Sequence, residues 1–182
     1  AETKIAAEEG LLGISDASFG VTILRLATLF GSSPKMRFNL LINEMVRDAL
    51  FGRDVLLYKE EAWRPFTHTA DAARAIIAAL DADRKKVSGQ VLNIGTDNLQ
   101  KKTLINIVKK YIPTIQVVRE GGLPDNRDYR VSFDKSKNEI GFIPTMSVEQ
   151  GIGEIVLALK QRVWSNPYDS KYTDWLKTEY FT

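Results

Sequence analysis

The chain has no cysteine among its 182 residues. That excludes disulfides, thiolate metal sites and cysteine nucleophiles. Its one histidine, His68, excludes a histidine-rich metal centre. No apolar run approaches the ~20 residues that a membrane-spanning helix requires. The net charge is only +2, so electrostatics make no strong case for nucleic acid or a membrane surface as partner. The cluster Arg84-Lys85-Lys86 reads as a solvated helix end. The first residues are acidic and amphipathic, unlike a signal peptide. These absences together set the expectation of a cytoplasmic protein. A glycine-rich G-x-G-x-x-G turn is also missing, as are internal repeats and low-complexity tracts.

What remains is an ordinary globular composition, 44% hydrophobic and 26% charged. A chain of this length buries roughly two-thirds of its unfolded surface. Periodicity predicts a helix from about Glu2 to Leu12, stopped by Gly13. Gly20 to Leu26 is a β-branched apolar run without clean alternation, which predicts a parallel-sheet strand buried on both faces. A helix is expected from about Asn39 to Leu50, and a short strand over Val55 to Tyr58. Trp63 to His68 reads as extended, because Pro65 disfavours helix before it. Thr69 is placed to cap an alanine-rich helix to Leu80, and Thr103 to cap one to Tyr111. Strands are expected at Gln90 to Ile94, Ile115 to Val118 and Tyr129 to Ser132. A short helix over Phe133 to Ile140 is closed by Gly141, and Ser147 with Gln150 forms a capping box for the last long helix. Alternating strands and helices argue an α/β fold.

Residues 1–9, Leu24 to Gly31, Arg64 to Asp71 and Asp125 to Ser132 form four blocks that together resemble the extended short-chain dehydrogenase/reductase family, in particular its NAD-dependent nucleotide-sugar epimerases and dehydratases. Residues 1–9, Ala-Glu-Thr-Lys-Ile-Ala-Ala-Glu-Glu, look like the helix after the family's catalytic tyrosine. Leu24 to Gly31 looks like its R-x-x-N-x-Y-G strand and loop, with Thr28 in place of the asparagine and Phe30 in place of the tyrosine. Arg64 to Asp71 looks like its R-x-(aromatic)-x-H-V-x-D block. Asp125 to Ser132, with Ile140, Gly141, Phe142 and Pro144, looks like its C-terminal nucleotide-binding segment. The blocks run in order over nearly the whole chain and are silent about the sugar.

The resemblance implies the C-terminal part of a Rossmann-type doubly wound sheet plus a small mixed α/β substrate-binding lobe. Residues 1–31 and 69–96 would be late Rossmann elements, 32–68 and 97–164 the nucleotide-sugar lobe, and 165–182 a C-terminal tail. The family's phosphate-binding turn and Tyr-x-x-x-Lys tyrosine have no match in these residues. The expected partner is therefore a missing N-terminal half that binds NAD or NADP. A homodimer through the helix carrying Lys4 is also implied.

Residue roles follow from the same resemblance. Lys4 would lower the tyrosine pKa and hold the nicotinamide ribose. Arg64 and Arg127 would grip the substrate diphosphate bidentately, and Asp125 would accept from ribose hydroxyls. Asn39 and Leu40, at a helix start, would offer donors to the diphosphate. Tyr58 would stack against the base. Each has a plain alternative: a solvated lysine, a surface arginine, a turn aspartate, a helix cap, a half-buried strand tyrosine. His68, Asp71 and Asn93 read as structural. The implied function is an NAD-dependent epimerase or dehydratase of nucleotide-diphosphate sugars, with this chain inactive alone. A non-catalytic nucleotide-binding or assembly module is the alternative.

Overall fold

A computed structural model describes residues 2–119 and 127–173. In chain order it runs α1 (Glu2–Gly13), β1 (Thr22–Leu26), β2 (Thr28–Phe30), α2 (Leu41–Leu50), β3 (Val55–Leu57), β4 (Trp63–His68), α3 (Thr69–Asp81) and α4 (Arg84–Val87). It continues with β5 (Gln90–Ile94), β6 (Asp97–Gln100), α5 (Lys101–Tyr111), β7 (Val117–Arg119), α6 (Asp134–Ile140) and α7 (Val148–Lys160). This is the expected mixed α/β fold with parallel pairing. β1 lies parallel to β5, with Leu24 opposite Leu92. β2 lies parallel to β4, which pairs antiparallel with β6. β3 and β7 form a third, parallel pair.

The larger core lies where α2, α5 and α7 meet the β2–β4 strands. Ile42, Met45, Val46 and Ala49 recur at helical spacing along α2, so one face of that helix is apolar and buried. They join Phe30, Phe38, Phe66, Leu104 and Ile152 in one cluster. Phe30 meets Phe66 edge to face at a centroid distance of 6.4 Å, the arrangement that ring quadrupoles favour. A smaller cluster, Ala75, Leu92, Ile94 and Phe142, lies against β5.

β1 departs from expectation: it is half-exposed rather than buried on both faces, and Leu26 is 41% exposed. The strand's apolar run suits a covered sheet, but β5 is its only strand partner among the described residues. α1 buries none of its residues.

Several local expectations shift. The cap of α3 is His68, whose Nδ1 accepts from Ala70 N at 3.3 Å, rather than Thr69. α5 starts at Lys101 without a side-chain cap, so Thr103 lies inside it. β7 begins two residues later than expected, at Val117. No strand forms over 129–132. Instead, the Asn98 side chain donates to Val131 O at 2.9 Å and accepts from Val131 N at 2.8 Å, so an amide takes the bonds a ladder would have taken. The capping box at Ser147 forms as the sequence predicts, and Gly141 ends α6 at a φ of 63°.

His68 and Asp71 are both built into the scaffold. His68 Nε2 lies 2.7 Å from Glu154 Oε2 on α7. A Cβ at Gly151 would overlap both Phe30 and His68, so α7 approaches the strand ends closely only because it carries glycine there. Asp71 is fully buried and accepts from Thr145 N and Oγ1, Met146 N and Arg74. That satisfies its charge and fixes α3 to the segment before α7.

Candidate functional site

Three cavities lie along the strand and helix ends. The middle one, of about 210 Å³, is lined by Thr28, Asn39, Leu40, Leu41, Glu44, Arg64, Phe66 and Arg127. Four of the predicted site residues therefore share one cavity: Asn39, Leu40, Arg64 and Arg127. β4 presents Arg64, which is only 4% exposed, while Arg127 is exposed on the segment that leads into α6. A guanidinium can hold an anion bidentately, and two of them stand on this one cavity.

The start of α2 adds to it. The helix opens at Leu41, two residues later than expected, so Asn39 precedes it instead of capping it. Leu40 occupies the cap position and supplies no side-chain bond. The first N–H groups of an α-helix have no partner within it and carry partial positive charge. An uncapped start facing two arginines is therefore suited to an anion. Asn39 Oδ1 is buried and finds no hydrogen-bond partner among the described residues. A buried acceptor left unmatched is costly, and a ligand hydroxyl or N–H would relieve it.

Leu41 and Glu44 also line a neighbouring cavity of about 250 Å³, with Met45, Asp48, Asp54, Val55, Leu56, Leu57, Tyr58 and Lys101. Tyr58 thus stands beside the cavity that Arg64 and Arg127 line, just after β3. Its carbonyl accepts from Lys101 Nζ at 2.9 Å. Lys101 is 4% exposed. Burial pushes the Glu44 carboxyl up, the Arg47 guanidinium opposes this, and the Asp48 carboxylate adds to the rise. Asp48 is held by Arg47 at 2.8 and 3.0 Å and by the Tyr168 hydroxyl at 2.9 Å. Burial and that carboxylate push Tyr168 up to about 12.

The third cavity, of about 460 Å³, opens where β1 and β5 end. Its walls include Arg25, Leu26, Ala27, Asn93, Pro65 and the 129–133 segment. In open α/β sheets ligands bind beyond the carboxyl ends of the strands.

Lys4 lies apart from the two guanidiniums. It is exposed on α1 and lines none of these three cavities. Its direction can still be read. Ser15, just after α1, accepts from Val21 N before β1, whereas Glu8 pairs with Arg25 near the end of β1. Helix and strand are therefore antiparallel. Lys4, one turn before Glu8, lies roughly 6 Å further along, towards the carboxyl end of β1. Asp125 falls outside the described residues.

The sequence reading missed Glu44 and Lys101. Glu44 stands three residues after Leu41, hence on the same helix face, and that spacing could have identified it. Lys101 reads as a solvated residue at a helix start, and no pattern marks it as buried.

Comparison with known proteins extends this picture. A model of the NAD dependent epimerase/dehydratase family matches residues 1–95. The chain is 28% identical over 167 residues to UDP-N-acetyl-alpha-D-glucosaminuronate decarboxylase from Bacillus cytotoxicus, covering 84% of this chain and 50% of that protein. Its fold is similar to UDP-glucose 4-epimerase from Thermotoga maritima, solved with UDP-glucose (TM-score 0.76, 21% identity, 88% of this chain, 52% of that one). It is similar too to UDP-glucuronic acid 4-epimerase from Bacillus cereus, solved with UDP-glucuronic acid and NAD (TM-score 0.69, 21% identity, 79% and 46%). The chain spans about half the length of the relatives it matches. With 95 of 182 residues matched by the family model, the chain belongs to the NAD dependent epimerase/dehydratase family.

Proposed function

We propose that this chain is the substrate-binding, C-terminal portion of an enzyme that epimerises or dehydrates a nucleotide-diphosphate sugar. The observation that carries the proposal is the convergence of Arg64, Arg127 and the uncapped start of α2 on one cavity. A diphosphate is the ligand class that uses all three, since guanidiniums and helix N–H groups both favour anionic oxygens. Tyr58, in the adjoining cavity, supplies an aromatic face for the base. Asn39 Oδ1 takes a ligand hydroxyl.

NAD or NADP is the cofactor the proposal requires, and the residues present fit one end of it. The cavity beyond β1 and β5 stands at the carboxyl edge of the parallel pair, and α1 directs Lys4 towards that edge. Lys4 would hold a ribose hydroxyl of the nicotinamide half, and its charge would favour the phenolate of a tyrosine supplied from outside these residues. A bound nicotinamide would supply reversible hydride chemistry at a sugar carbon, and Lys4 is the described residue that would hold its ribose. Arg64 and Arg127 fix the diphosphate so that the sugar extends from a held point. On this reading residues 1–31 and 69–96 serve the cofactor side, and 32–68 with 97–164 serve the nucleotide. The partner is an N-terminal half carrying the glycine-rich turn. We further place the protein in the cytoplasm as a homodimer contacting through α1.

Calorimetry on the 182-residue chain tests this. A nucleoside diphosphate should bind weakly, while NAD should not bind and no turnover should occur. Arg127→Ala and Arg64→Ala should each weaken the nucleotide by about 1.5–3 kcal/mol, roughly 10- to 150-fold. The exposed Arg127 guards against a folding defect at the buried Arg64. Unchanged affinity in both variants removes the diphosphate site. Tight NAD binding by the chain alone removes the division of labour.

A further inference from the structure

The segment after α7 lines neither of the two adjoining cavities, yet it grips the helix that walls both. Leu41, Glu44, Met45 and Asp48, at helical spacing, put one face of α2 on the cavity that Tyr58 lines. Leu41 and Glu44 also line the cavity of Arg64 and Arg127. Residues 164–172 hold α2 near both ends. Before the helix, Phe38 N donates to Tyr172 O at 2.9 Å and Trp164 Nε1 donates to Ser33 O at 3.2 Å. The Trp164 and Tyr172 rings meet Phe38 edge to face at 5.3 and 5.9 Å. At the last turn, the Tyr168 hydroxyl donates to Asp48 Oδ1 at 2.9 Å. The Arg47 and Arg53 guanidiniums lie over the Tyr168 ring at 4.4 and 3.8 Å. The segment's own turns are fixed by side chains: Asn166 Oδ1 accepts from Tyr168 N at 3.1 Å, and Asp169 Oδ1 from Lys171 N at 3.0 Å. Residues 33–38, by contrast, form no helix or strand, and they lead straight into Asn39 and Leu40 on the cavity wall.

We infer that residues 164–172 are a strap that sets the place of α2 against β4, with Tyr172 a positioning residue for the diphosphate cavity and Tyr168 one for the adjoining nucleoside cavity. The inference rests on the diphosphate reading proposed above. Each tyrosine acts through a residue beside the ligand space. Tyr172 holds Phe38, the neighbour of Asn39, and Tyr168 holds Asp48, itself a wall of the second cavity. A diphosphate gripped by arginines on one side and helix N–H groups on the other needs their separation fixed, and binding falls steeply when donors are displaced. A strap that only covered apolar area would alter stability and leave the folded chain's affinities alone.

Calorimetry with inorganic pyrophosphate and UDP on the intact 182-residue chain separates these roles. The native chain should bind UDP more tightly than pyrophosphate. Tyr172→Ala should weaken both by at least about tenfold, whereas Tyr172→Phe, which keeps the ring, should stay within about twofold of native. Tyr168→Ala should weaken UDP by at least about tenfold and leave pyrophosphate within about twofold, and Tyr168→Phe should recover most of the UDP loss. Arg53→Ala, at an exposed position, loosens the same ring without touching the core. It should weaken UDP by about threefold and leave pyrophosphate unchanged. Far-ultraviolet spectra and urea unfolding establish that each variant is folded at the titration temperature. Native affinities for both probes in the folded variants, with Arg127 still required, overturn this inference alone. Equal losses of UDP and pyrophosphate in Tyr168→Ala and Arg53→Ala, or UDP no tighter than pyrophosphate in the native chain, overturn the assignment to Tyr168. A native chain that binds neither probe overturns this inference and the diphosphate reading together.

Discussion

The α2–α5–α7 region and the α1–β1 region are made of similar residue types and end in opposite states. Around α2 and α7, Phe38, Val46, Phe66, Leu104 and Ile152 are fully buried. Around α1 and β1, Ile5 is 52% exposed, Phe19 53% and Leu26 41%. On neighbouring α3, Leu80 is 78% exposed. Hydrophobic residues alone therefore do not make a core. A core needs two apolar layers facing each other, and β1 has only one strand neighbour among the described residues. The first region has closed on itself beside the cavity that Arg64 and Arg127 line. Among the described residues the second presents a strand edge without a ladder partner and several exposed apolar side chains, features that mark an interaction surface.

The largest expected effect separates the two regions directly. Phe66→Ala should cost about 3–5 kcal/mol in urea unfolding, because it empties space against Phe30 in a closed core. Leu26→Ala should stay within about 0.5 kcal/mol. Equal costs at the two positions would mean that β1 is as well covered as β4, and the contrast would fail.

The intermediate effect concerns association. Ile5→Ser with Leu26→Ser and Leu80→Ser removes exposed apolar side chains and no core contact. Sedimentation of the native chain should show self-association that the triple variant loses, with an unchanged far-ultraviolet spectrum. A native chain that stays monomeric at high concentration would mean these side chains are tolerated by solvent and form no interface.

Much of this contrast was legible in the sequence, for reasons that differ by element. The capping box at Ser147 and the left-handed stop at Gly141 are local chemistry, so short motifs suffice to find them. The meeting of Arg64 with Arg127 came from family resemblance, since no spacing rule joins residues so far apart. The exposure of β1 was not legible from its own apolar run, which reports what a strand could bury and not whether a second layer is present; the resemblance to the late half of a doubly wound sheet is what implies an open edge and an exposed apolar face. The strand expected over 129–132 failed for another reason. Asn98 satisfies the backbone of Val131 through its side chain, and propensity carries no information about such a substitution. Glu44 was missed because a charged residue on an amphipathic helix usually faces water, whereas here its helix start is a cavity wall.

Glu44 provides the smallest and sharpest test of the closed region. Burial pushes its folded-state carboxyl above the unfolded value. The folded chain then binds that proton more tightly than the unfolded chain, so Glu44 favours folding below the unfolded pKa. The contribution is lost as pH rises through the raised folded value. Glu44→Gln should therefore be slightly more stable than the native chain at pH 7. The side chain is 50% exposed, so solvent screening keeps the gain below about 0.5 kcal/mol. A ligand that donates to the carboxylate acts in the opposite direction: it favours the charged form and draws the pKa back down. Nucleotide affinity should then fall as pH falls through the Glu44 titration, and the fall should vanish in Glu44→Gln. The same side chain would destabilise the empty fold and strengthen the occupied one, a cost in stability that a binding site bears and a plain core does not. A pH profile of nucleotide affinity that is identical in the native chain and Glu44→Gln would return Glu44 to the status of an ordinary helix residue.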